Sequence, residues 1–397
     1  MLPLLLIALV QVPAETPKPI ESLPPLAQDA QAVSPDHKRI AVSTQDEGVW
    51  VIDIATKTVA FRVAPTKSVV EYVAWTRDSA KLGLLHRNAD IEIVDAASGS
   101  VTKTLPSTSK NPVARGKRDI HFAAGGTVIV AALGGSQTDI FRCDSGEQIA
   151  RIGNADGPIT TAWALSADES CLALGTEAGV VQMWDPLTGE RLGGEARIRN
   201  EKRIDNGSDW MGFRGIHSLA FDPSGSILAI GGGDCAAHLW SRTQHRFLGS
   251  FSSCTEEVFS TLGIGSVAFS ADGSRLVTSS FPYIEIRVWD VRSDELLLHG
   301  SVGESSRPMA TWFSSDGTRI VSAGGCLSTT FDDRQPVPKS AVSELFSRSL
   351  PTMRAPPLGL TWWQHDGDYA WAVVDHHLVV RKIPDEQLVL RIPVREK

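Results

Sequence analysis

The sequence is poor in cysteine, with five in 397 residues. The number is odd and no two cysteines are spaced as C-x-x-C, so the chain has neither a disulfide framework nor a cysteine-based zinc motif. Cys143 and Cys171 lie in apolar strand patterns, where a thiol usually behaves as a small buried hydrophobe. We therefore expect these two thiols to be packed in the core.

Positive charge is also scarce. The 38 Lys and Arg residues are outnumbered by 46 Asp and Glu, which gives a net charge of −8. A chain that repels phosphate overall is a poor candidate for non-specific nucleic-acid binding. We expect a protein or peptide partner and no nucleic acid.

Long hydrophobic runs are missing beyond residues 1–12, MLPLLLIALVQV. This run is shorter than the roughly 20 residues of a spanning helix but suits the core of a signal peptide, although no basic residue precedes Lys18. We predict a signal peptide at 1–14, an N-terminal extension at 15–27, and export to the periplasm or the outside with no integral membrane span after cleavage. A hydrophobic tail on a cytoplasmic protein is the alternative.

Motifs of common enzymes are absent. The chain has no H-E-x-x-H, no G-x-S-x-G and no G-x-x-x-x-G-K. The densest His and Asp clusters, 365–366 and 375–377, fall in expected turns, and adjacent histidines on extended backbone point apart. We therefore predict no catalytic residue, no metal and no cofactor.

What the chain does have is a repeat. A short polar turn between two apolar runs recurs eight times, at intervals of 42 to 56 residues. The turns are marked by Asp36, Asp78, Gly125, Asp168, Ser224, Asp272, Asp316 and Asp366. A repeat of roughly 40 to 50 residues that is rich in short strands is typical of a propeller blade.

The sixth unit shows the strand pattern best. Apolar runs at Ser266–Ser280, Glu285–Asp290 and Glu295–Val302 are bounded by Asp-Gly and Ser, which indicates four strands. We predict an all-β fold, a β-propeller of four-stranded antiparallel blades, as a single domain over 28–397. The eight blades are expected near 28–65, 69–105, 117–153, 158–195, 215–252, 264–302, 307–357 and 358–394. Seven is the alternative if the seventh unit, which cannot be followed past Leu327, fails to form a blade.

Particular dipeptides and turns carry a family resemblance. Trp184-Asp185 and Trp289-Asp290 end the third strand of their units, Trp240-Ser241 is a near match, and 34–36 and 270–273 read Ser-Pro-Asp and Ser-Ala-Asp-Gly. Over Ala30 to Val394 the chain resembles a WD-repeat propeller. The resemblance implies a structural role for the repeat residues Trp184, Asp185, Trp240, Asp272, Trp289, Asp290 and Asp316.

The chain departs from that family in one respect. No unit has the Gly-His dipeptide before its first strand, so the family's hydrogen-bonded set of His, Ser or Thr, Asp and Trp cannot be complete in any blade. Asp234 and Glu177 could keep part of it. Since every unit carries its own fourth strand, we expect the ring to close by side-chain packing between blades one and eight.

Two insertions interrupt the period, at Glu190–Gly215 and Cys326–Pro357, and connections longer than about 12 to 15 residues are usually functional or disordered. We interpret the second as a loop that covers a degenerate outer edge of blade seven. The first mixes arginines with aromatic residues, as contact surfaces do, and a solvated loop is its plainer interpretation. Its predicted partner-binding residues are Arg197, Arg199, Arg203, Trp210 and Phe213.

We predict that the protein is a non-catalytic scaffold for protein–protein interaction. The alternative is a propeller enzyme or small-ligand binder that uses the mouth of the central channel. That alternative needs carboxylates or histidines with shifted pKa values converging from several blades. The first strands instead offer small or neutral residues, namely Ala220, Ala268, Ala310 and Thr361.

Overall fold

A computed structural model describes residues 19–395 except 66–67, 106–116, 154–155, 199–214, 253–262, 282, 305–310, 315, 318, 323–326, 331–363, 366–368, 375 and 383–386. The predicted signal peptide at 1–14 lies outside the described residues. Within them, no helix has the length and apolarity needed to cross a bilayer.

The described chain consists of short strands and a single 3-10 turn at Ala124–Gly126. The strands of the first three sheets are β1 (Leu26–Val33), β2 (Arg39–Thr44), β3 (Val49–Asp53) and β4 (Thr58–Val63); β5 (Val70–Trp75), β6 (Lys81–His86), β7 (Ile91–Asp95) and β8 (Val101–Leu105); and β9 (Arg118–Ala123), β10 (Val128–Leu133), β11 (Thr138–Arg142) and β12 (Gln148–Ile152).

The next three sheets follow the same scheme. Their strands are β13 (Thr160–Leu165), β14 (Leu172–Thr176), β15 (Val180–Trp184) and β16 (Ala196–Arg197); β17 (Ile216–Phe221), β18 (Ile227–Gly232), β19 (Ala236–Ser241) and β20 (Arg246–Ser252); and β21 (Gly263–Phe269), β22 (Arg275–Phe281), β23 (Tyr283–Asp290) and β24 (Leu296–Glu304).

Two sheets complete the chain. They contain β25 (Thr311–Phe313), β26 (Arg319–Ser322) and β27 (Leu327–Thr330), then β28 (Gln364–His365), β29 (Tyr369–Val374), β30 (His377–Lys382) and β31 (Gln387–Pro393). Among the described residues, seven sheets have four strands and the seventh in chain order has three. Its predicted fourth strand falls in 331–363, outside the described residues.

Every sheet is an antiparallel meander whose strands lie side by side in chain order. The first strands of neighbouring sheets contact each other in the pairs β1 and β5, β13 and β17, and β17 and β21. The all-β propeller predicted from the repeat is confirmed. We name the strands of each blade a to d from the axis outward.

Antiparallel pairing gives the ring two distinct rims. The a–b and c–d turns lie at one end of the blades, which we call the turn rim. The b–c turns and the d–a connections lie at the other end, which we call the connection rim. Ile198, directly after strand d of blade four, donates its N–H to Gly179 in the b–c turn of that blade (2.9 Å), which fixes the start of the d–a connection on the connection rim. The predicted bounds 190–215 are therefore too wide, because Glu190 lies in the c–d turn and strand d itself is Ala196–Arg197.

The repeated aspartates stabilise the a–b turns. In blade six the Ser270 hydroxyl donates to Asp272 Oδ1 (2.6 Å), and this oxygen accepts the N–H of Ser274 (3.0 Å). A short polar side chain that bonds its own turn in this way makes the tight reversal favourable. The same Ser or Thr to Asp bond joins Ser34 to Asp36, Thr76 to Asp78, Ser166 to Asp168 and Ser314 to Asp316.

Two blades depart from this turn in opposite ways. Blade five exchanges the two side chains, so that Ser224 donates to Asp222 (2.5 Å). Blade three has neither side chain, and Gly125 there donates its N–H to the Glu169 carboxylate of blade four (2.6 Å). The turn of blade three is therefore held by the neighbouring blade as well as by its own Thr127, whose hydroxyl donates to Ala124 O (2.8 Å).

We expect Asp272→Asn to lower stability at pH 6 and to have less effect in acid. The Ser270 hydroxyl, with the N–H and hydroxyl of Ser274, lowers the pKa of Asp272 to about 2 from 3.8. Because the folded-state pKa of Asp272 lies below its unfolded value of 3.8, the ionised carboxylate stabilises the fold at pH values above 3.8. This stabilisation is lost as the pH falls towards 2. Urea unfolding of both proteins at about pH 6 and about pH 2.5 measures this narrowing difference.

The control for this variant is Glu190→Gln, which removes an exposed carboxylate outside the a–b turns. It should change the unfolding free energy by less than about 0.5 kcal/mol at both pH values. A difference between wild type and Asp272→Asn that stays constant down to pH 2.5 contradicts the prediction.

Buried tryptophans pack between neighbouring blades. Trp240 is buried together with residues of β14 and β17, and Trp289 packs against Phe251 of the preceding blade with ring centroids 5.1 Å apart. The indole N–H of Trp289 donates to the Thr278 hydroxyl (3.2 Å). Trp184 is only partly buried and packs with Leu172 and Trp163. These contacts join the blades into one apolar body.

The c–d turns interlock each blade with the one before it. Asp185 and Asp290 accept backbone N–H groups of their own turns, from Leu187 (2.7 Å) and Ser293 (2.8 Å). Gly189, in the turn of blade four, has a φ of +72° and lies so close to Ala150 on strand d of blade three that a Cβ would fall 2.1 Å from the Ala150 Cβ. Glycine is required there both by conformation and by space.

Ring closure differs in one respect from the sequence-based expectation. Blade eight has four strands of its own, and an apolar cluster joins it to blade one through residues such as Trp50 and Leu378. In addition, Leu23 forms a parallel bridge with Val394, donating its N–H to Pro393 (2.7 Å) and accepting the N–H of Arg395 (2.8 Å). Closure by side chains alone is therefore wrong, because the backbone also contributes.

Candidate partner-binding rim

Among the predicted partner-binding residues, only Arg197 lies in the described part of the chain. It ends β16, and its side chain is 64% exposed on the connection rim. Arg199, Arg203, Trp210 and Phe213 lie outside the described residues. The structure therefore shows where this insertion leaves the propeller.

A charge cluster fixes that departure point. Glu195 accepts from Arg191 (2.9 Å) and from Gln182 (3.3 Å), and it also pairs with Arg197. The hydrogen bond from Gln182, followed by those from the two arginines, lowers the pKa of Glu195. One carboxylate thus orients two exposed guanidinium groups, and the cluster keeps a net charge of +1.

The central channel contains polar residues that the sequence pattern did not reveal. Lys117 precedes β9, and the alternate positions Asp119 and His121 share one face of that strand. Asp119 Oδ2 lies 3.2 Å from Lys117 Nζ and 3.7 Å from His121 Nε2. The His121 ring packs edge-on against Trp163 of blade four, with ring centroids 4.8 Å apart. The signal was the alternation of charged residues and histidine at 117, 119 and 121, although Glu71 and His217 occupy the place of Asp119 in two other first strands.

Asp119 is not suited to act as a general acid. Burial opposes its charged form, but His121 and Lys117 outweigh that cost and lower its pKa to about 2. The carboxylate is therefore ionised at any physiological pH. It can orient His121 and attract a cation, but it cannot deliver a proton to a substrate.

The family's hydrogen-bonded set survives only in parts among the described residues. The Trp289 to Thr278 bond is one part. Asp234 bonds His238 Nε2 (2.7 Å), and Glu177 accepts the N–H of Ile159 (3.1 Å), so neither carboxylate is shown bonded to a tryptophan. The indole nitrogens of Trp184 and Trp240 are buried without a hydrogen bond.

Three free cysteines lie in the described ranges, of which Cys143 and Cys171 are buried and Cys235 is half-buried. Cys143 and Cys171 are buried, as expected, and burial raises the pKa of each to about 11, so both remain protonated. Within the same ranges, no group of three His, Cys, Asp or Glu residues is placed to hold a metal ion.

Eight antiparallel sheets in a ring, with aspartate-bonded turns and Trp-Asp strand ends, define a WD-repeat β-propeller. A family model described as "Nucleolar protein 10-like, N-terminal domain" matches residues 19–323. The chain belongs to this β-propeller family.

Curated relatives share part of the chain. Transducin beta-like protein 3 of Rattus norvegicus is 29% identical over 196 residues, which are 48% of this chain and 21% of that protein. The Mus musculus protein is 27% identical over 237 residues, or 57% of this chain and 26% of that one. The chain thus spans about a fifth to a quarter of the length of these relatives.

A solved structure shows the same fold. The crystal structure of the Cps50 (Swd1) β-propeller domain of Myceliophteria thermophila superposes with a TM-score of 0.51 at 16% identity. The match covers 74% of this chain and 92% of that domain. At this identity the likeness concerns architecture alone.

Proposed function

We propose that the protein is a non-catalytic scaffold that binds a protein or peptide partner on its connection rim. The observation that carries this proposal is the cluster of Arg191, Glu195 and Arg197, which anchors a long insertion at a fixed place on that rim. Arginines and aromatic residues dominate the binding energy of many interfaces, and the insertion contains both. We infer that Arg197, Arg199, Arg203, Trp210 and Phe213 contact the partner.

The overall charge supports a protein partner over nucleic acid. The chain carries −8, so the arginines at 197, 199 and 203 are a local concentration of positive charge rather than part of a basic surface. Opposite charges at an interface mainly raise the rate and the specificity of association. An acidic surface on the partner matches the three predicted contact arginines, Arg197, Arg199 and Arg203.

Reversing these charges tests the site. The triple variant Arg197→Glu, Arg199→Glu and Arg203→Glu is expected to bind a partner, first identified by affinity capture and mass spectrometry, at least about tenfold more weakly. Purified components in a biosensor assay give the dissociation constant. Because the Arg197 side chain is 64% exposed, loss of its pair with Glu195 should lower stability by no more than about 1 kcal/mol, so the variant should remain folded.

A control with the same change in charge is Lys57→Glu, Arg142→Glu and Arg391→Glu, three exposed positions away from the insertion. It should bind the partner with wild-type affinity. If the two triple variants lose affinity equally, the effect is long-range charge and the insertion is not the binding site.

A small-ligand binder at the channel mouth is the second candidate. The row formed by Lys117, Asp119 and His121 favours it, because it brings charged groups of one blade beside Trp163 of the next. A ligand that raises the melting temperature of the wild type but not of His121→Ala would support this function. A scaffold whose partner binds the insertion should tolerate His121→Ala.

The compartment is a separate proposal. The apolar run at 1–12 supports export, whereas the description of the family as nucleolar protein 10-like supports an intracellular location. N-terminal sequencing of the protein from its native source separates them. A first residue at Glu15 supports export, and an intact 1–14 segment overturns it.

A further inference from the structure

A cavity of about 280 Å³ lies between blades one and two on the connection rim. Its described walls are the b–c turn of blade one, residues 64–65 and 68–69 of the connection into blade two, and His86 and Glu92 of blade two. Pockets for small molecules begin at about 300 Å³. The space therefore suits one long side chain better than a metabolite or cofactor.

The polar groups that line the cavity present acceptors. The hydroxyl of Ser43 donates to Val70 O (2.9 Å) and that of Thr44 to Gly48 O (2.7 Å), so both hydrogens are used within the protein. The side-chain amide of Gln45 donates to Leu26 O (3.1 Å). The two hydroxyls retain lone pairs but have used their hydrogens, which matches a ligand that only donates, whereas Gln45 keeps one N–H.

Glu92 supplies charge deep in this cavity. Its side chain is 12% exposed, and its Oε2 lies 3.1 Å from Nε2 of His86, whose side chain is 4% exposed. Nδ1 of His86 lies 2.9 Å from the carbonyl of Ser68, so it carries a hydrogen and donates. Both groups are held in place, and the carboxylate is already removed from bulk water before any ligand arrives.

Among the described residues that line the cavity, the summed side-chain charge is negative in either protonation state of His86. Glu92 and Asp46 contribute two negative charges, and His86 contributes at most one positive charge. Burial opposes that positive charge, while Glu92, the Ser68 carbonyl and Asp90 favour it and raise the pKa of His86. A cation is therefore attracted even when His86 is protonated.

We propose that this cavity binds an arginine side chain from a peptide segment of the partner. The inference rests on the proposed scaffold function, since it assumes a protein partner. Guanidinium has five N–H donors, no acceptor and weaker hydration than an ammonium group, so it matches dispersed acceptors around a buried carboxylate. Because Glu92 is largely desolvated in the free protein, most of the cost of removing it from water precedes binding.

The test uses the tripeptide acetyl-Gly-Arg-Gly-amide and the full-length protein with labelled methyl groups. The methyl resonances of Val70 and Leu84, which line the cavity, should shift on titration to about 10 mM peptide. The peptide with citrulline in place of arginine keeps the shape but lacks the charge, and it should bind at least about tenfold more weakly. Lysine should bind more weakly than arginine.

Variants locate the binding. Glu92→Gln is expected to weaken arginine binding by about tenfold or more, and Asp46→Asn by about threefold. Asp46 is exposed, so its variant keeps the test decisive if Glu92→Gln reduces folding. Glu147→Gln, an exposed glutamate on blade three, is the matched control and should bind as the wild type does.

Three results would overturn the proposal. The first is equal binding of the arginine and citrulline peptides. The second is that the Val70 and Leu84 methyl resonances do not shift, as expected of a cavity that holds only water. The third is that Asp46→Asn and Glu92→Gln are both folded and both bind the arginine peptide as tightly as the wild type. Equal binding of lysine overturns the choice of arginine. If the arginine peptide does not bind but a protein partner is still captured, only the cavity proposal is rejected. If no partner is captured either, the proposed scaffold function is rejected as well.

Discussion

Leu23→Ala is expected to lower the free energy of unfolding by about 3 kcal/mol, within the range of buried Leu to Ala substitutions. Leu23 is fully buried in the cluster that joins blades one and eight. Its side chain therefore stabilises the seam at which the ring closes. Urea unfolding followed by tryptophan fluorescence measures the change.

Leu187→Ala is the matched control, because it deletes the same atoms from a leucine whose side chain is 45% exposed rather than buried. It should cost less than about 0.5 kcal/mol. Leu23→Pro adds a test of the backbone, since it also removes the N–H that donates to Pro393. The proposed seam is wrong if Leu23→Ala and Leu187→Ala are equally stable.

Gly189→Ala should also destabilise by about 3 kcal/mol, from two sources. A left-handed backbone costs a residue with a Cβ about 1–2 kcal/mol, and forcing an atom into a packed contact costs about 1–3 kcal/mol. The new Cβ would lie 2.1 Å from the Cβ of Ala150, so blades three and four would have to separate locally. Urea unfolding again gives the magnitude.

Two other glycines separate the cost of the left-handed backbone from the cost of the close contact. Gly125 has a φ of +64° but open space around its Cβ position, so Gly125→Ala should show the conformational cost alone. Gly194 has open space without a left-handed φ, and its alanine variant should be nearly neutral. If Gly125→Ala is as damaging as Gly189→Ala, contact between the blades contributes nothing.

Local chemistry explains how much of the fold the sequence could predict. Strands such as β22 and β23 follow from alternating apolar residues and an Asp-Gly turn, all within one unit. The Leu23 bridge and the Glu169 contact each join one residue to a distant part of the chain, and no periodic signal marks a single long-range contact. The strands of each blade were therefore predictable from the sequence, but these contacts between blades were not.

The candidate sites were less predictable for the same reason. Arg197 was predicted as a partner contact because its insertion breaks the repeat and concentrates arginine, and that role stays a prediction. The cavity beside Glu92 was missed because Glu92 sits in an ordinary strand c pattern, and its partner His86 ends the preceding strand. Only packing of blade one against blade two turns those residues into a lined space.

The bond from Gly125 to Glu169 makes blade three dependent on its successor. A chimaera that transplants blade three into another propeller would leave the Gly125 N–H without its carboxylate acceptor unless the Glu169 loop travels with it. Blades that look interchangeable in the sequence repeat thus depend on contacts with particular neighbours. Engineering of this ring should therefore exchange blades three and four as a pair.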